Sequence, residues 1–216
     1  MVSHEQIDKT LTILKKEQKI TTMLHRLGEK YGPYQVLIST ILSARAKDET
    51  TEIIANELFK KYPNAKSLAN AKQQDVIKII RKIGFYNAKS KNIIGTAQKL
   101  LDEFNGKVPD ELDKLITFPG VGRKVANCVL VYSFKKNAIP VDIHVHRISN
   151  RLGWVKTKTP EETEKKLEKL VPTKHWQTLN DTFVSHGKTI CTPIGPKCSQ
   201  CPIYKYCKRA GVIKHR

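Results

Sequence analysis

A chain of 216 residues has room for one large domain or two modest ones, each with a buried core. Lysine and arginine total 39 against 20 acids, a formal charge of +19, so the expected partner is a polyanion, either nucleic acid or an anionic membrane surface. No run approaches the roughly 18 apolar residues of a membrane span, and "MVSHEQIDKT" lacks a leader's apolar core, so a soluble cytoplasmic protein without signal or transit peptide is expected.

Helical periodicity dominates in chain order. "YQVLISTILSA" follows Pro33, a good first-turn residue. "DETTEIIANELFKKYP" has Asp48 as its expected N-cap and Pro63 as its stop. "QQDVIKIIRKIG" is expected to end on Gly84 as a left-handed cap. "NAKSKNIIGTAQKLLDEFNG" ends at Asn105-Gly106, and a short helix "PDELDKLI" precedes "GRKVANCVLVYSF". "DIHVHRISNRLG" follows, then "TPEETEKKLEKLVP", where Thr159, Pro160 and Glu162 predict a capping box. "KHWQTLNDTFVSHGKTI" is the last helical run. Strand signals are nearly absent, so the expected class is all-α, with a break near the polar "KKNA" at Lys135–Ala138.

The stretch "FPGVGRKVANCVL" puts two glycines and a proline in a turn between two helices. Pro119, Gly120, Val121 and Gly122 let the backbone approach a ligand closely, and the next helix opens with unpaired N–H groups and a positive dipole end. That is a helix-hairpin-helix element suited to a phosphate, with Arg123 adding charge and nothing to read a base. Lys124 has two readings: a phosphate-neutralising lysine, or an amine nucleophile whose proton the helix end weakens. Asp142 is the only acid between Asp113 and Glu161. It is both a candidate N-cap and a carboxylate able to steady a developing cation or accept a proton.

Near the C-terminus, Cys191, Cys198, Cys201 and Cys207 are spaced C-x6-C-x2-C-x5-C among turn-forming residues. Four thiolates in a compact loop need a cation. Zinc and a [4Fe–4S] cluster both suit four cysteines, and the tight nest within 17 residues favours the cluster. Cys128 lies mid-helix and reads as core packing. The loop carries Lys197, Lys205, Lys208 and Arg209, and after Glu168 the last 48 residues hold nine Lys/Arg and one acid. One-sided charge of this kind reads as a phosphate-contacting face.

These residues resemble the endonuclease III family, the bifunctional DNA glycosylases of the helix-hairpin-helix superfamily. The resemblance covers nearly the whole chain and rests on "ILSARAKD", "IGFYNAKSKNI", "FPGVGRKVANCVL", "VDIHVHRISNRLG" and the cysteine loop. It implies two helical domains with a cleft between them. One, residues 26–136, is a six-helix domain holding the hairpin. The other, residues 1–25 plus 137–216, carries a [4Fe–4S] cluster on Cys191, Cys198, Cys201 and Cys207.

It further implies that Lys124 is the catalytic lysine and Asp142 the catalytic aspartate of a nucleoid-associated, monomeric enzyme acting on double-stranded DNA. A damaged pyrimidine is flipped out, Lys124 displaces it and forms a Schiff base, and β-elimination nicks the strand. Arg45, Ile83 and Phe85 are the implied fillers of the vacated space, and His144, two residues beyond Asp142, is expected to line the cleft. Two residues depart from the family pattern: Arg45 stands where Gln is common, and Phe85 where Leu is. Both departures bear on partner-base preference. The alternatives are a monofunctional mismatch glycosylase, which usually lacks the lysine, and a non-catalytic DNA-binding iron–sulfur protein.

Overall fold

The computed structural model describes residues 2–216, and every regular element among them is helical. In chain order these are α1 His4–Lys16, α2 Met23–Lys30, α3 Pro33–Ser43, α4 Asp48–Lys61, α5 Ala65–Ala69 and α6 Gln73–Ile80. Then come α7 Tyr86–Phe104, α8 Leu112–Leu115, α9 Arg123–Phe134, α10 Ile143–Leu152, α11 Pro160–Leu170 and α12 Trp176–Thr189. Among the described residues, no helix is long and apolar enough to cross a membrane.

The chain forms two compact units, Met23–Lys136 and a second that joins residues 2–22 to 137–216. The first is organised on α3. Its sequence is apolar nearly all round, and a helix of that kind belongs inside. Val36, Leu37, Ile38 and Leu42 are fully buried, with α2, α4, α7 and α9 packed against it. Gly28 permits the closest approach: a Cβ there would meet the Tyr132 carbonyl oxygen at 2.6 Å.

The second unit packs around α10 and α12. Ile7, Leu11 and Leu14 from α1, Val145, Ile148 and Leu152 from α10, and Leu179 and Phe183 from α12 form its core. The Trp154 and Phe183 rings lie 5.7 Å apart within it.

Three helix ends differ from expectation. Lys47, not Asp48, is the N-cap of α4, because its carbonyl already accepts the Thr51 N–H at 3.0 Å. Asp48 then sits in the first turn, where the dipole favours it. At α11, Thr159 accepts from the Glu162 N–H at 3.2 Å, but the Glu162 carboxylate takes the N–H of Lys158 rather than that of Thr159. The capping box is therefore stretched by one residue. Finally, α6 stops at Ile80, and the left-handed residue of the next turn is Phe85 at φ 61°, not Gly84.

Candidate nucleic-acid and cofactor sites

The hairpin in Met23–Lys136 is held from behind by α7. Phe118 and Val121 are buried and anchor the turn, while Pro119 and Gly120 are exposed. Gly120 takes φ 76°, and a Cβ there would strike Asn92 Nδ2 at 2.6 Å, so both backbone and space require glycine. Pro119 lies over Gly95, and Thr96 Oγ1 donates to the Pro119 carbonyl at 3.2 Å. The turn closes with Val121 N–H to Phe118 carbonyl at 3.1 Å.

Gly122 is the N-cap of α9, with no side chain to occupy the helix end. A Cβ there would meet nothing within 4 Å. The N-terminal end of α9 is therefore exposed at Gly122, and a helix N-terminus is the geometry that receives an anion. Arg123 and Lys124 follow in that first turn, both half-buried.

Two further turns of the same unit carry Arg45 and Phe85. Both residues are exposed and both are left-handed, at φ 53° and 61°. The Arg45 guanidinium carbon lies 5.7 Å from the centre of the Phe85 ring, within cation–π range. Phe85 is 63% exposed whereas Ile83 is 1% exposed, so the pair expected to fill a vacated base position separates. Ile83 packs beneath its turn, and only Phe85 is presented.

Asp142 opens α10 in the other unit. The backbone before it is fixed by Asn180, whose Nδ2 donates to the Pro140 carbonyl at 2.8 Å. Its Oδ1 accepts the N–H groups of His144 and Val145, both at 2.9 Å, and Oδ2 takes neither. The N-cap reading of Asp142 is therefore correct, and it leaves one carboxylate oxygen outside the cap. His144 Nδ1 lies 3.1 Å from Arg147 NH2. Gly187 makes room for it, since a Cβ there would lie 2.3 Å from the same nitrogen.

The four cysteines of the C-terminal loop line one cavity together with Ile148, Leu152 and Ile203. Burial pushes the Cys201 thiol up to about 11 and raises those of Cys198 and Cys207, with mutual thiolate repulsion adding to each. Such a donor set ionises only against a cation. Arg151 NH1 donates to Cys191 Sγ and the Arg209 N–H to Cys207 Sγ, both at 3.4 Å, and His186 Nε2 lies 3.7 Å from Cys201 Sγ. Among the described residues, no three His, Cys, Asp or Glu side chains converge as they would on a single metal ion. The four thiols line one cavity, and four cysteines are a ligand set that both a zinc ion and an iron–sulfur cluster can use.

Sequence reasoning missed Arg147 and Arg151. Arg147 reaches from α10 to the carbonyls of Gly187 and Cys191, at 3.3 and 3.0 Å through NH2. Arg151 donates to the carbonyls of Thr192 and Pro193, at 2.7 and 2.8 Å. They bolt the cysteine loop to the helix that Asp142 begins. The available signal was their i,i+4 spacing in "HRISNR", which puts two guanidinium groups on one helix face.

Comparison with known proteins agrees across sequence and structure. The HhH-GPD superfamily of base excision DNA repair proteins matches residues 38–173. Endonuclease III of Thermotoga maritima is 45% identical over 191 residues, 88% of this chain and 90% of that protein. Endonuclease III of Synechocystis is 39% identical over 206 residues, 90% of this chain and 94% of that one. Among solved structures, a trapped endonuclease III–DNA covalent intermediate in an estranged-adenine complex superposes with a TM-score of 0.87 at 32% identity, covering 97% of each chain. A thermostable thymine-DNA glycosylase, 24% identical with a TM-score of 0.83, shares the fold.

Proposed function

The chain belongs to the HhH-GPD superfamily of base excision DNA repair proteins, as an endonuclease III-type glycosylase/lyase, and we propose that Lys124 and Asp142 carry out its chemistry on oxidised or otherwise damaged pyrimidines of the thymine glycol type. It acts as a monomer on double-stranded DNA. The observation that carries this reading is Lys124 in the first turn of α9, immediately after a hairpin shaped for a phosphate. The similarity to a trapped covalent complex supports an amine nucleophile over a merely neutralising lysine.

The hairpin holds the backbone phosphate through N–H groups and charge, without reading a base. The damaged nucleotide leaves the stack, and Phe85 with Arg45 occupies the space it vacates. The neutral Lys124 amine attacks C1′. The N–C1′ bond forms as the glycosidic bond breaks, and the base departs with its electron pair. The sugar ring then opens to a protonated Schiff base, loss of the C2′ proton follows, and the 3′ phosphate is expelled. Asp142, held as a cap through one oxygen, offers the other to steady positive charge on the sugar or to take the lysine proton.

Cys191, Cys198, Cys201 and Cys207 hold a [4Fe–4S] cluster in this reading. Bound there, it would supply the positive charge that offsets the four thiolates, and the cysteines would hold the basic loop against α10. Base removal takes no step through it.

Borohydride present during reaction with abasic-site duplex tests the assignment. A covalent adduct is expected with the wild-type protein and none with Lys124→Gln. Strand scission without any trappable adduct would overturn the Schiff-base route.

A further inference from the structure

Lys89 lies in the second turn of α7, behind the turn that presents Phe85, and only 5% of its surface is exposed. Buried lysines are rare unless paired. The partner of Lys89 is a carbonyl: Nζ donates to the oxygen of Leu42 at 2.8 Å. Leu42 is in the last turn of α3, where carbonyls lack intrahelical donors and the dipole is negative. Two nearby carbonyls are served locally, Thr40 by Ser43 Oγ at 2.9 Å and Ser43 by the Ala46 N–H at 3.0 Å. Lys89 thus closes the end of α3 from which the Arg45 turn departs.

Its main chain serves the other turn. The Lys89 N–H donates to the Phe85 carbonyl at 3.0 Å. A Cβ on Gly84 would sit 4.0 Å from the Arg45 carbonyl, which is ordinary contact, so the two turns touch. Both presented residues keep left-handed backbones, a conformation that non-glycine residues hold only where the surroundings determine it. One lysine meets the helix end that leads into the Arg45 turn by its ammonium and the Phe85 turn by its amide.

We propose that Lys89 is a positioning residue that ties the Arg45 and Phe85 turns into one preformed wedge, so that both side chains enter the vacated base position together. Ordering backbone residues costs conformational entropy, and a wedge assembled only on DNA would draw that cost from binding. A strut beneath the turns meets it during folding. The inference rests on reading Arg45 and Phe85 as gap fillers.

The test uses Lys89→Met, which keeps an unbranched apolar stem without the donor, and Lys89→Arg, which restores a donor. Single-turnover excision is measured on lesion duplex carrying 2-aminopurine opposite the lesion, whose fluorescence reports unstacking. Borohydride trapping on a single-stranded abasic oligonucleotide, where no helical gap arises, is the comparison. Lys89→Met is expected to slow duplex excision about tenfold, with most of the fluorescence change lost and single-stranded trapping within about twofold of wild type. Lys89→Arg is expected to recover much of the loss. An unchanged duplex rate, or equal losses on both DNAs, overturns the strut. The Arg45→Ala/Phe85→Ala double variant keeps the two readings apart. If it excises from duplex as wild type does, the gap-filling reading has failed and the strut falls with it. If it is impaired on duplex while Lys89→Met is not, only the strut has failed.

Discussion

Arg45 and Phe85, forty residues apart in sequence, hold their side chains 5.7 Å apart while both backbones are left-handed. Neither feature is needed for packing, because both residues are exposed. A flat aromatic ring under a planar guanidinium presents one stacking surface and a set of donors at its edge. Replacing Phe85 with Ala should slow excision from duplex by about tenfold, with the thermal midpoint nearly unmoved. Replacing Arg45 with Ala should instead change the ranking of duplexes that differ in the base opposite the lesion. A guanidinium only donates, and the pairing edge that an opposing base turns toward the vacated position differs in its acceptors, O6 in guanine and N1 in adenine. The expected result is a narrowed difference between opposing guanine and opposing adenine, read from kcat/KM on a panel of opposing bases. An unaltered ranking would remove Arg45 from that role.

Asp142 separates two jobs that one carboxylate performs. Asn caps a helix about as well as Asp, so Asp142→Asn keeps the Oδ1 bonds to the His144 and Val145 N–H groups and removes only the charge. Base excision should fall about 100-fold or more if the carboxylate supports proton transfer or cation stabilisation, with the melting temperature held. Asp142→Ala should also lose about 1 kcal/mol of stability as the cap disappears. If both variants keep excision near wild type, Asp142 is a cap and no more.

The helices and the chemistry were legible for different reasons. Apolar spacing and caps mark α3, α7, α9 and α10 directly, since each end is written in local residues such as Pro33, Asn105 and Asp142. The hairpin was legible because only glycine tolerates both φ 76° and the closeness of Asn92 at position 120. What stayed hidden depends on contacts distant in sequence. Nothing local shows that Lys89 reaches Leu42, or that Arg151 reaches Cys191 and Thr192. The left-handed turn residue was misplaced onto Gly84, because intrinsic preference names glycine while tertiary contacts impose the strain on Phe85. Ile83 and Phe85 alternate in one turn, and sequence alone did not tell which faces inward.

Gly120→Ala addresses the hairpin itself. A methyl group there meets Asn92 Nδ2 at 2.6 Å and strains a φ of 76°, so a stability loss of roughly 1–3 kcal/mol is expected. If the turn holds a phosphate, DNA affinity should weaken similarly on every sequence, with a shallower salt dependence. Filter binding across a salt series reads both. A variant that loses affinity on one sequence only would speak against backbone recognition.

For the cysteine loop, anaerobically purified protein should carry about four irons per chain and no stoichiometric zinc. Cys198→Ser should reduce the iron content and loosen the basic loop, weakening DNA binding more than it slows trapping at saturating single-stranded abasic DNA. One zinc per chain would refute the cluster.

Lys89 also predicts a pH signature in stability. Burial pulls its ammonium from the ordinary 10.5 down to about 8. Below pH 8 the folded and unfolded chains both hold the proton, and the folded state bears the full cost of a buried charge. Between pH 8 and 10.5 the unfolded chain retains a proton that the folded chain has released, so this residue's contribution moves in favour of folding as pH rises. Met at position 89 does not titrate. The stability of wild type relative to Lys89→Met should therefore increase between pH 8 and 10.5, by at most about 3 kcal/mol. Urea melts of both proteins at matched pH measure that difference and cancel the contributions of lysines the two chains share. A difference that stays flat with pH would show that Lys89 titrates like an exposed lysine and that its ammonium is not buried behind the two turns.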